Sequence, residues 1–563
     1  NLVPDDLERS VDLYPNNVAF RFEGRMQTYA EFDALANRVA NWGLAQGFKP
    51  GDAVALFMDN RLEYVPIWFG LSKIGVVTGL INNHLSGKAL AHCVNIANAR
   101  AIITGAGQDS AILSVDGLLV GNPTIWTLGG EVGSELAPAL DVASNRRPDR
   151  TWRAHLKGID LCLLVYTSGT TGLPKAARLT HARTQSMMRT FIGPCNTTER
   201  DRVYITLPLY HSTGGLCAVG IALMTGARVI LRRKFSASTF WSDCADEGVT
   251  TIVYVGELCR YLINQPIDPR EQAHNIRTGF GNGLRPDIWE EFHARFNIPQ
   301  LVEFYGSTEG NVSVFNGDGK IGAVGRIPKW LEFKFAHVAF VKFDIVTEQP
   351  IRGPDGFCIA TEPNEVGEAI GRIGEATRTR FEGYNDPAAT NRKILHDVFE
   401  KGDMWFGTGD LMRKDEEGYI YFVDRIGDTY RWKGENVSTN EVAEVLSRVP
   451  GIATANVYGV PIPGTDGKAG MAAITTKGDV DYDGLYKLLA SKLPKYAIPI
   501  FIRIQRNAET TGTFKYRKVD LVREGFDTDE VDDPMWYADP DLKRYEPLTM
   551  DAYDTIKSGS VRF

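Results

Sequence analysis

Tyr166-Thr167-Ser168-Gly169-Thr170-Thr171-Gly172-Leu173-Pro174-Lys175 is the stretch on which the reading of the fold turns. It follows the apolar run 161–165, short enough to be a buried strand. Gly169 and Gly172 let the backbone turn tightly and face several N–H groups the same way. The hydroxyls of Thr167, Ser168, Thr170 and Thr171, with Lys175, complete a donor-rich, cationic concavity. Such a nest suits a polyphosphate, whose oxygens accept hydrogen bonds and whose charge attracts a lysine. It is not a Walker loop: two residues, not four, separate the glycines, and Ala176 rather than Ser or Thr follows Lys175.

A strand closed by a phosphate-type turn implies an α/β sheet, and the flanking sequence agrees. Thr28 opens an amphipathic helix with Glu31 at the capping-box spacing, and Leu35, Val39 and Trp42 fall on one face. Residues 53–58 read as a strand after the Lys49-Pro50-Gly51-Asp52 turn, 63–74 as a helix, 101–104 as a strand and 141–149 as a polar connection. Thr180 caps a helix, and alternation resumes through a strand at 251–255 and Gly279-Phe280-Gly281-Asn282-Gly283. From about 320 to 424 the pattern shifts to short strands and glycine turns. After the charged crossing Arg425-Ile426-Gly427-Asp428 a smaller α/β pattern follows: helix 439–447, strand 453–460, helix 482–493. The acidic tail from Asp527 reads as a surface segment. The predicted fold class is therefore α/β. A large N-terminal domain (1–424) holds parallel-sheet α/β subdomains and a β-rich subdomain, and a small C-terminal α/β domain (425–563) carries the surface tail.

The 563 residues, 43% hydrophobic and 23% charged, can bury a large core without disulfides. Seven cysteines without a CxxC pair fit a reducing compartment, and nine histidines form no H-x-x-x-H or H-E-x-x-H motif. A net charge of −8 argues against nucleic acid and against a polybasic membrane surface, so an anionic substrate must be met by local donors. Residues 204–227 lack Lys, Arg, Asp and Glu, but Pro208, His211 and a glycine pair interrupt them, which favours a buried helix after a functional turn over a membrane span. The chain begins at Asn1, so anything upstream is out of view, and no signal peptide stands at its start.

Four further stretches carry chemistry. Tyr305-Gly306-Ser307-Thr308-Glu309-Gly310 follows a strand expected at 300–304, where α/β sheets bind ligands. Its aromatic face suits a base, the Thr308 hydroxyl a phosphate, and Glu309 a magnesium ion. Phe406-Gly407-Thr408-Gly409-Asp410 sets a carboxylate after two glycines, in reach of ribose hydroxyls, and Arg425 beside Asp424 is either a surface ion pair or a nucleotide ligand. Leu209-Tyr210-His211-Ser212-Thr213-Gly214 holds an imidazole in a turn. Thr510-Thr511-Gly512-Thr513-Phe514-Lys515 carries a lysine on a Gly/Thr loop.

Taken in order, these stretches resemble the adenylate-forming superfamily of acyl-CoA synthetases, luciferases and peptide-synthetase adenylation domains, over nearly the whole chain. Gly256-Glu257-Leu258-Cys259-Arg260-Tyr261-Leu262, Arg431-Trp432-Lys433-Gly434-Glu435-Asn436-Val437-Ser438-Thr439, Thr511-Gly512-Thr513-Phe514-Lys515 and Arg544-Tyr545-Glu546-Pro547-Leu548 narrow the likeness to its fatty acid transport protein/very-long-chain acyl-CoA synthetase branch. The resemblance implies an ATP-, Mg²⁺- and CoA-dependent ligase that makes a fatty acyl-adenylate and then the acyl-CoA. Its alternatives are a ligase for another carboxylate, bile-acid-like or carnitine-like, and a transporter without catalysis.

The resemblance also distributes roles. Thr167, Ser168, Gly169, Thr170, Thr171, Gly172 and Lys175 would take the β- and γ-phosphates, Thr308 the α-phosphate and Glu309 the magnesium. Tyr305, Gly306 and Ser307 with Gly281, Asn282 and Gly283 would take adenine, and Asp410 with Arg425 the ribose. Lys515 would bridge the carboxylate and α-phosphate, His211 would line the acyl junction, and Lys433, Gly434 and Glu435 would meet CoA. Val253, Tyr254, Glu257 and Leu258 are candidates for the acyl wall. Two departures stand out: Phe514 occupies the usual glycine before the lid lysine, which brings in Lys518 as a substitute, and Gly427 falls on the hinge position, with Asp428 as the other pivot. A cytoplasmic enzyme, peripheral at a membrane and compatible with a homodimer, is the setting this implies.

Overall fold

The computed structural model describes residues 1–167, 173–345, 347–463, 465, 467–510, 516–561 and 563. The chain gathers into two compact units. The first comprises residues 1–283, 292–319 and 372–394, and the second residues 284–291, 320–371 and 395–563.

Two sheets build the first unit. A seven-stranded sheet runs in the order Ser134–Glu135, Thr124–Leu128, Ala99–Gly105, Ala53–Phe57, Val77–Leu80, Leu161–Thr167, Lys175–Thr180. It is parallel until its last pair, where the chain folds straight back across the Gly/Thr stretch. The second, eight-stranded, has Thr278–Asn282 between Thr251–Val255 and Leu301–Gly306, all parallel, with antiparallel strands at both edges. The expected α/β alternation is thus present as two parallel-centred sheets. Thr28 caps helix Tyr29–Ala45 with the reciprocal Glu31 bond foreseen from the spacing. That helix packs on Tyr64–Lys73 so closely that a Cβ on Gly70 would overlap the Ala36 carbonyl. Residues 204–227 are a strand end, a π-helix at Thr213–Ala218 and a helix at Val219–Leu223, buried from Gly214 to Leu223. Among the described residues no helix is long and apolar enough to cross a membrane. The seven cysteines are free and buried.

The second unit holds the β-rich segment except for residues 372–394, with an antiparallel sheet that includes Met404–Lys414 and Tyr419–Arg425. It also holds a five-stranded sheet of its own core. Helix Thr439–Ser447 lies as expected and strand Ile452–Val460 nearly so. The tail departs from its reading as a surface segment. Met535–Asp539 and Arg544–Pro547 extend the five-stranded sheet, Tyr545 is fully buried, and its hydroxyl donates to the Pro499 carbonyl at 2.7 Å. The acidic turns between these strands masked their alternation.

A buried ionic knot ties the first three long helices of the first unit. Lys73, 0% exposed, reaches Asp33 at 2.5 Å and Glu8 at 3.1 Å, and Arg153 reaches Glu8 at 2.5 Å. Burial alone would raise the Asp33 carboxyl, but Lys73 and Arg147 overcome it and hold it below its usual value. Removing one partner of a buried pair leaves the other uncompensated, at about 3 kcal/mol. Lys73→Met is therefore expected to lower the unfolding free energy by about 3 kcal/mol. Asp33 titrates lower when folded than its unfolded value of about 3.9, so its contribution is complete above that pH and fades as pH falls beneath it. Unfolding curves between neutral pH and pH ~3 check both the size and the sign.

Candidate active site

Strands Leu161–Thr167 and Lys175–Thr180 run antiparallel, with Thr167 opposite Lys175. The hairpin brings the two ends of the Gly/Thr stretch together, while Ser168, Gly169, Thr170, Thr171 and Gly172 lie outside the described residues. Lys175 Nζ stands 5.5 Å from the centre of the Tyr384 ring, and the Tyr384 hydroxyl donates to Glu309 Oε1 at 2.7 Å. Tyr384 is buried and anchored by a backbone bridge to Ala177, in the same hairpin strand as Lys175. Burial and then the Glu309 charge push its phenol pKa up, so it remains a donor. Burial, followed by Lys393 and Arg392, lowers the Lys175 ammonium, against the pull of Glu309 and Asp386. Sequence reasoning missed Tyr384. The available signal was an aromatic directly after Gly383, which takes a positive φ of 68°.

Strand Leu301–Gly306 extends further than its pattern suggested, so Tyr305 and Gly306 are strand residues at its end and Ser307 and Thr308 follow it. Arg183, also missed, fixes the turn by donating to the carbonyls of Ser307, Thr308 and Gly310. Ser307 Oγ accepts the Gly310 N–H at 3.1 Å. The Thr308 and Ser212 hydroxyls lie 3.1 Å apart. His211 is Ser212's neighbour, at the mouth of the π-helix, and its ring stacks obliquely 4.7 Å from that of Tyr210. Single π-turns gather at functional positions. Glu309, Thr308, Lys175 and, through Ser212, His211 therefore belong to one neighbourhood of the first unit. Asn282 ends the strand beside the one that leads to Tyr305, and Gly283 turns away at a φ of 82°.

Asp410 and Arg425 are brought opposite each other in the second unit, with Arg425 Nε 4.0 Å from Asp410 Oδ1. Thr408-Gly409-Asp410 lies in the middle of the long strand Met404–Lys414, kinked at Gly409, whose φ is 80°. Buried Glu368 accepts the Gly409 N–H at 2.9 Å and sets that kink. Lys433 and Gly434, both at positive φ, form the exposed two-residue turn of hairpin Tyr430–Trp432/Glu435–Val437. A lysine at 52° sits where Gly or Asn is the easier residue. Lys515 lies outside the described residues. Lys518 is engaged elsewhere, donating to Asp428 at 3.2 Å and Thr439 at 3.0 Å. Val253, Tyr254 and Leu258 are buried, and Glu257 stands 3.8 Å from Arg260 on the helix Gly256–Ile263.

Among the described residues no cluster of three or more His, Cys, Asp or Glu could hold a metal ion. A lone braced carboxylate fits a magnesium ion whose other ligands are phosphate oxygens and water.

Comparison with known proteins places the whole chain in one family. The family model described as AMP-binding enzyme matches residues 7–338, and that of the AMP-binding enzyme C-terminal domain matches residues 441–515. Long-chain fatty acid transport protein 6 of Mus musculus is 41% identical over 97% of this chain and 89% of its own length. Long-chain fatty acid transport protein 1 of Homo sapiens is 42% identical over 95% of this chain and 84% of its own. Among solved structures, a Mycobacterium tuberculosis fatty acyl CoA synthetase superposes with a TM-score of 0.67 at 25% identity, covering 93% of this chain and 98% of that one. The anthranilate CoA ligase AuaEII with anthranoyl-AMP shares the fold at a TM-score of 0.79 and 21% identity, covering 92% and 96%.

Tyr384→Phe removes the bond to Glu309 and keeps the ring under Lys175. A hydrogen bond to a charged group contributes about 1.5–3 kcal/mol, so calorimetric titration with magnesium–ATP is expected to show binding weakened about tenfold. The melting temperature falls with it by no more than a few degrees.

Proposed function

Because this chain belongs to the AMP-binding enzyme family, we propose that it is an AMP-forming ligase joining a long- or very-long-chain fatty acid to coenzyme A. The observation that carries the reading is the convergence on Tyr384 of a lysine from the Gly/Thr hairpin and the Glu309 carboxylate, one residue from Thr308. Relatives named for fatty acid transport and a fatty acyl CoA synthetase of the same fold support the substrate class.

A carboxylate is a poor acyl donor because oxide is a poor leaving group. Its oxygen attacks the α-phosphorus of ATP, the bond to the β-phosphate oxygen breaks, and pyrophosphate departs with that electron pair. The CoA thiolate then attacks the acyl carbonyl, and AMP leaves. Positioning and charge stabilisation dominate such chemistry. Lys175 and Thr167, with the hydroxyls and amides of 168–172, would hold the β- and γ-phosphates, and the Thr308 hydroxyl, kept in place by Ser212 and Arg183, the α-phosphate. Tyr305 and the 281–283 turn would receive adenine, and Asp410 with Arg425 the ribose. Glu309 would hold magnesium, which when bound would neutralise phosphate charge. Lys515 would bridge carboxylate and α-phosphate, His211 would line the acyl junction with Val253, Tyr254, Glu257 and Leu258 behind it, and the Lys433-Gly434-Glu435 turn would meet CoA. The domains act as an ATP- and acyl-binding body, 1–424, and a lid, 425–563, pivoting at Gly427 or Asp428.

The test is AMP and pyrophosphate release across a panel of acids, with and without CoA. Turnover is expected with oleate and longer acids only when ATP and CoA are both present; release with bile-acid-like or carnitine-like acids alone, or none with any acid, would overturn the reading. Lys515→Ala should abolish adenylate formation yet still convert supplied acyl-adenylate to acyl-CoA, whereas equal loss in both halves removes that lysine from its role.

On this reading the enzyme works in the cytoplasm against a membrane that stores its substrate. Three residues per turn in the 3₁₀ segment Lys329–Phe335 set Trp330 and Phe333 on one edge. They are 75% and 73% exposed, with exposed Lys329 and Lys334 beside them. Aromatic rings with flanking lysines suit the headgroup region of an anionic bilayer. Wild-type protein should float with phosphatidylserine-containing vesicles and the Trp330→Ser/Phe333→Ser variant should not. A doubled mass in solution that the variant abolishes would assign the edge to a homodimer instead.

A further inference from the structure

Tyr254, Gly281 and Glu303 stand in register on three adjacent parallel strands, Tyr254 opposite Gly281 and Gly281 opposite Glu303. The middle residue has no side chain, and a Cβ there would overlap both the ring and the carbonyl of Tyr254. Tyr254 leans across that gap, and its hydroxyl donates to Glu303 Oε2 at 2.9 Å. The other carboxylate oxygen, Oε1, accepts the N–H of Gly283, turned inward by that residue's left-handed backbone. Glu303 is 1% exposed and Tyr254 0%. Burying a carboxylate is costly unless both its oxygens are satisfied. Burial and then the Glu303 charge raise the Tyr254 phenol pKa, so it stays a donor wherever the enzyme works.

A carboxylate serving the core alone could bond to any side chain. This one grips the backbone of the turn that ends its neighbour strand, and it lies two residues before Tyr305 on its own. We infer that Glu303 is a positioning residue for the nucleotide base, holding the Gly283 turn at a fixed height beside Tyr305. The inference rests on the reading of Tyr305 and 281–283 as the adenine site. Gly281 accordingly owes its identity to the passage of Tyr254 rather than to a base overhead.

Glu303→Leu removes both acceptors at similar bulk, Glu303→Gln keeps an acceptor for Gly283 and a polar partner for Tyr254, and Tyr254→Phe deletes one bond only. Direct calorimetric binding of magnesium–ATP and magnesium–GTP, melting temperature and KM for acid and CoA are the readouts. The leucine variant is expected to bind ATP about tenfold more weakly and to lose preference for ATP over GTP. Its KM for acid and CoA should stay at the wild-type level, and glutamine should restore most of the binding. If the leucine variant does not fold, Tyr254→Phe carries the decision: ATP binding weakened by about threefold with KM for acid and CoA at the wild-type level supports the inference, and ATP binding equal to wild type overturns it. ATP binding equal to wild type in folded Glu303→Leu, or equal loss in leucine and glutamine variants with lowered melting, overturns the inference. Wild-type protein that binds no ATP overturns the adenine reading itself.

Discussion

A neutral phenol keeps a cation and an anion apart. Lys175 and Glu309 feel each other's charge, yet among the described residues they form no direct ion pair and meet through Tyr384, one over its ring and the other on its hydroxyl. Collapsed into an ion pair, each would be spent on the other. Separated, the lysine is available to phosphate oxygens and the carboxylate to a divalent cation. In a chain of net charge −8 this local arrangement, not a global field, is what can attract a polyanion. The rest of the first unit reads as support for it. The hairpin brings Lys175 beside Tyr384, Arg183 sets the turn that carries Glu309, and Ser212 fixes the hydroxyl next to it.

The parts legible beforehand share one property, that their cause is local. The Thr28/Glu31 box closes over three residues, the strand Thr251–Val255 is a plain β-branched run, and helix Thr439–Ser447 starts at a serine cap. The strands that lead into the Gly/Thr stretch and to Tyr305 were readable because their signal is written in consecutive residues. Tyr384, Arg183 and Glu368 were not. Each acts on a group 41 or more positions away, through a bond that exists only after the sheets have formed. At 408–410 glycines argue for a turn, whereas here Gly409 kinks a strand that the Glu368 carboxylate holds in line.

Gly281 and Gly283 make the same point about one residue type. Both fall in a single glycine-rich stretch that the family resemblance assigns to adenine. Gly283 needs its glycine for backbone handedness, while Gly281 needs it because a tyrosine from the neighbouring strand passes over it to reach Glu303. A composition signal is therefore real without being about the ligand alone. It can mark the packing that makes a ligand turn rigid.

The same economy governs the crossing between the β-rich sheet and the module that follows it in the second unit. Asp424 ends buried beneath the start of helix Thr439–Ser447, accepting the Thr439 N–H at 2.6 Å and bonds from the Thr439 hydroxyl and the Asn440 amide. Burial raises its carboxyl pKa, with Lys518 and the Thr439 amide pulling the other way. Lys518 adds a second tie, to Asp428 and Thr439. If the module turned about Gly427 or Asp428, Lys518 and Thr439 would move together, and the cap that Thr439 and Asn440 place on Asp424 would have to break or be remade. An unsatisfied buried acceptor costs about 1–3 kcal/mol, and a ligand can shift such an equilibrium only by its differential affinity for the two states. Such a turn would therefore have to be driven by what binds.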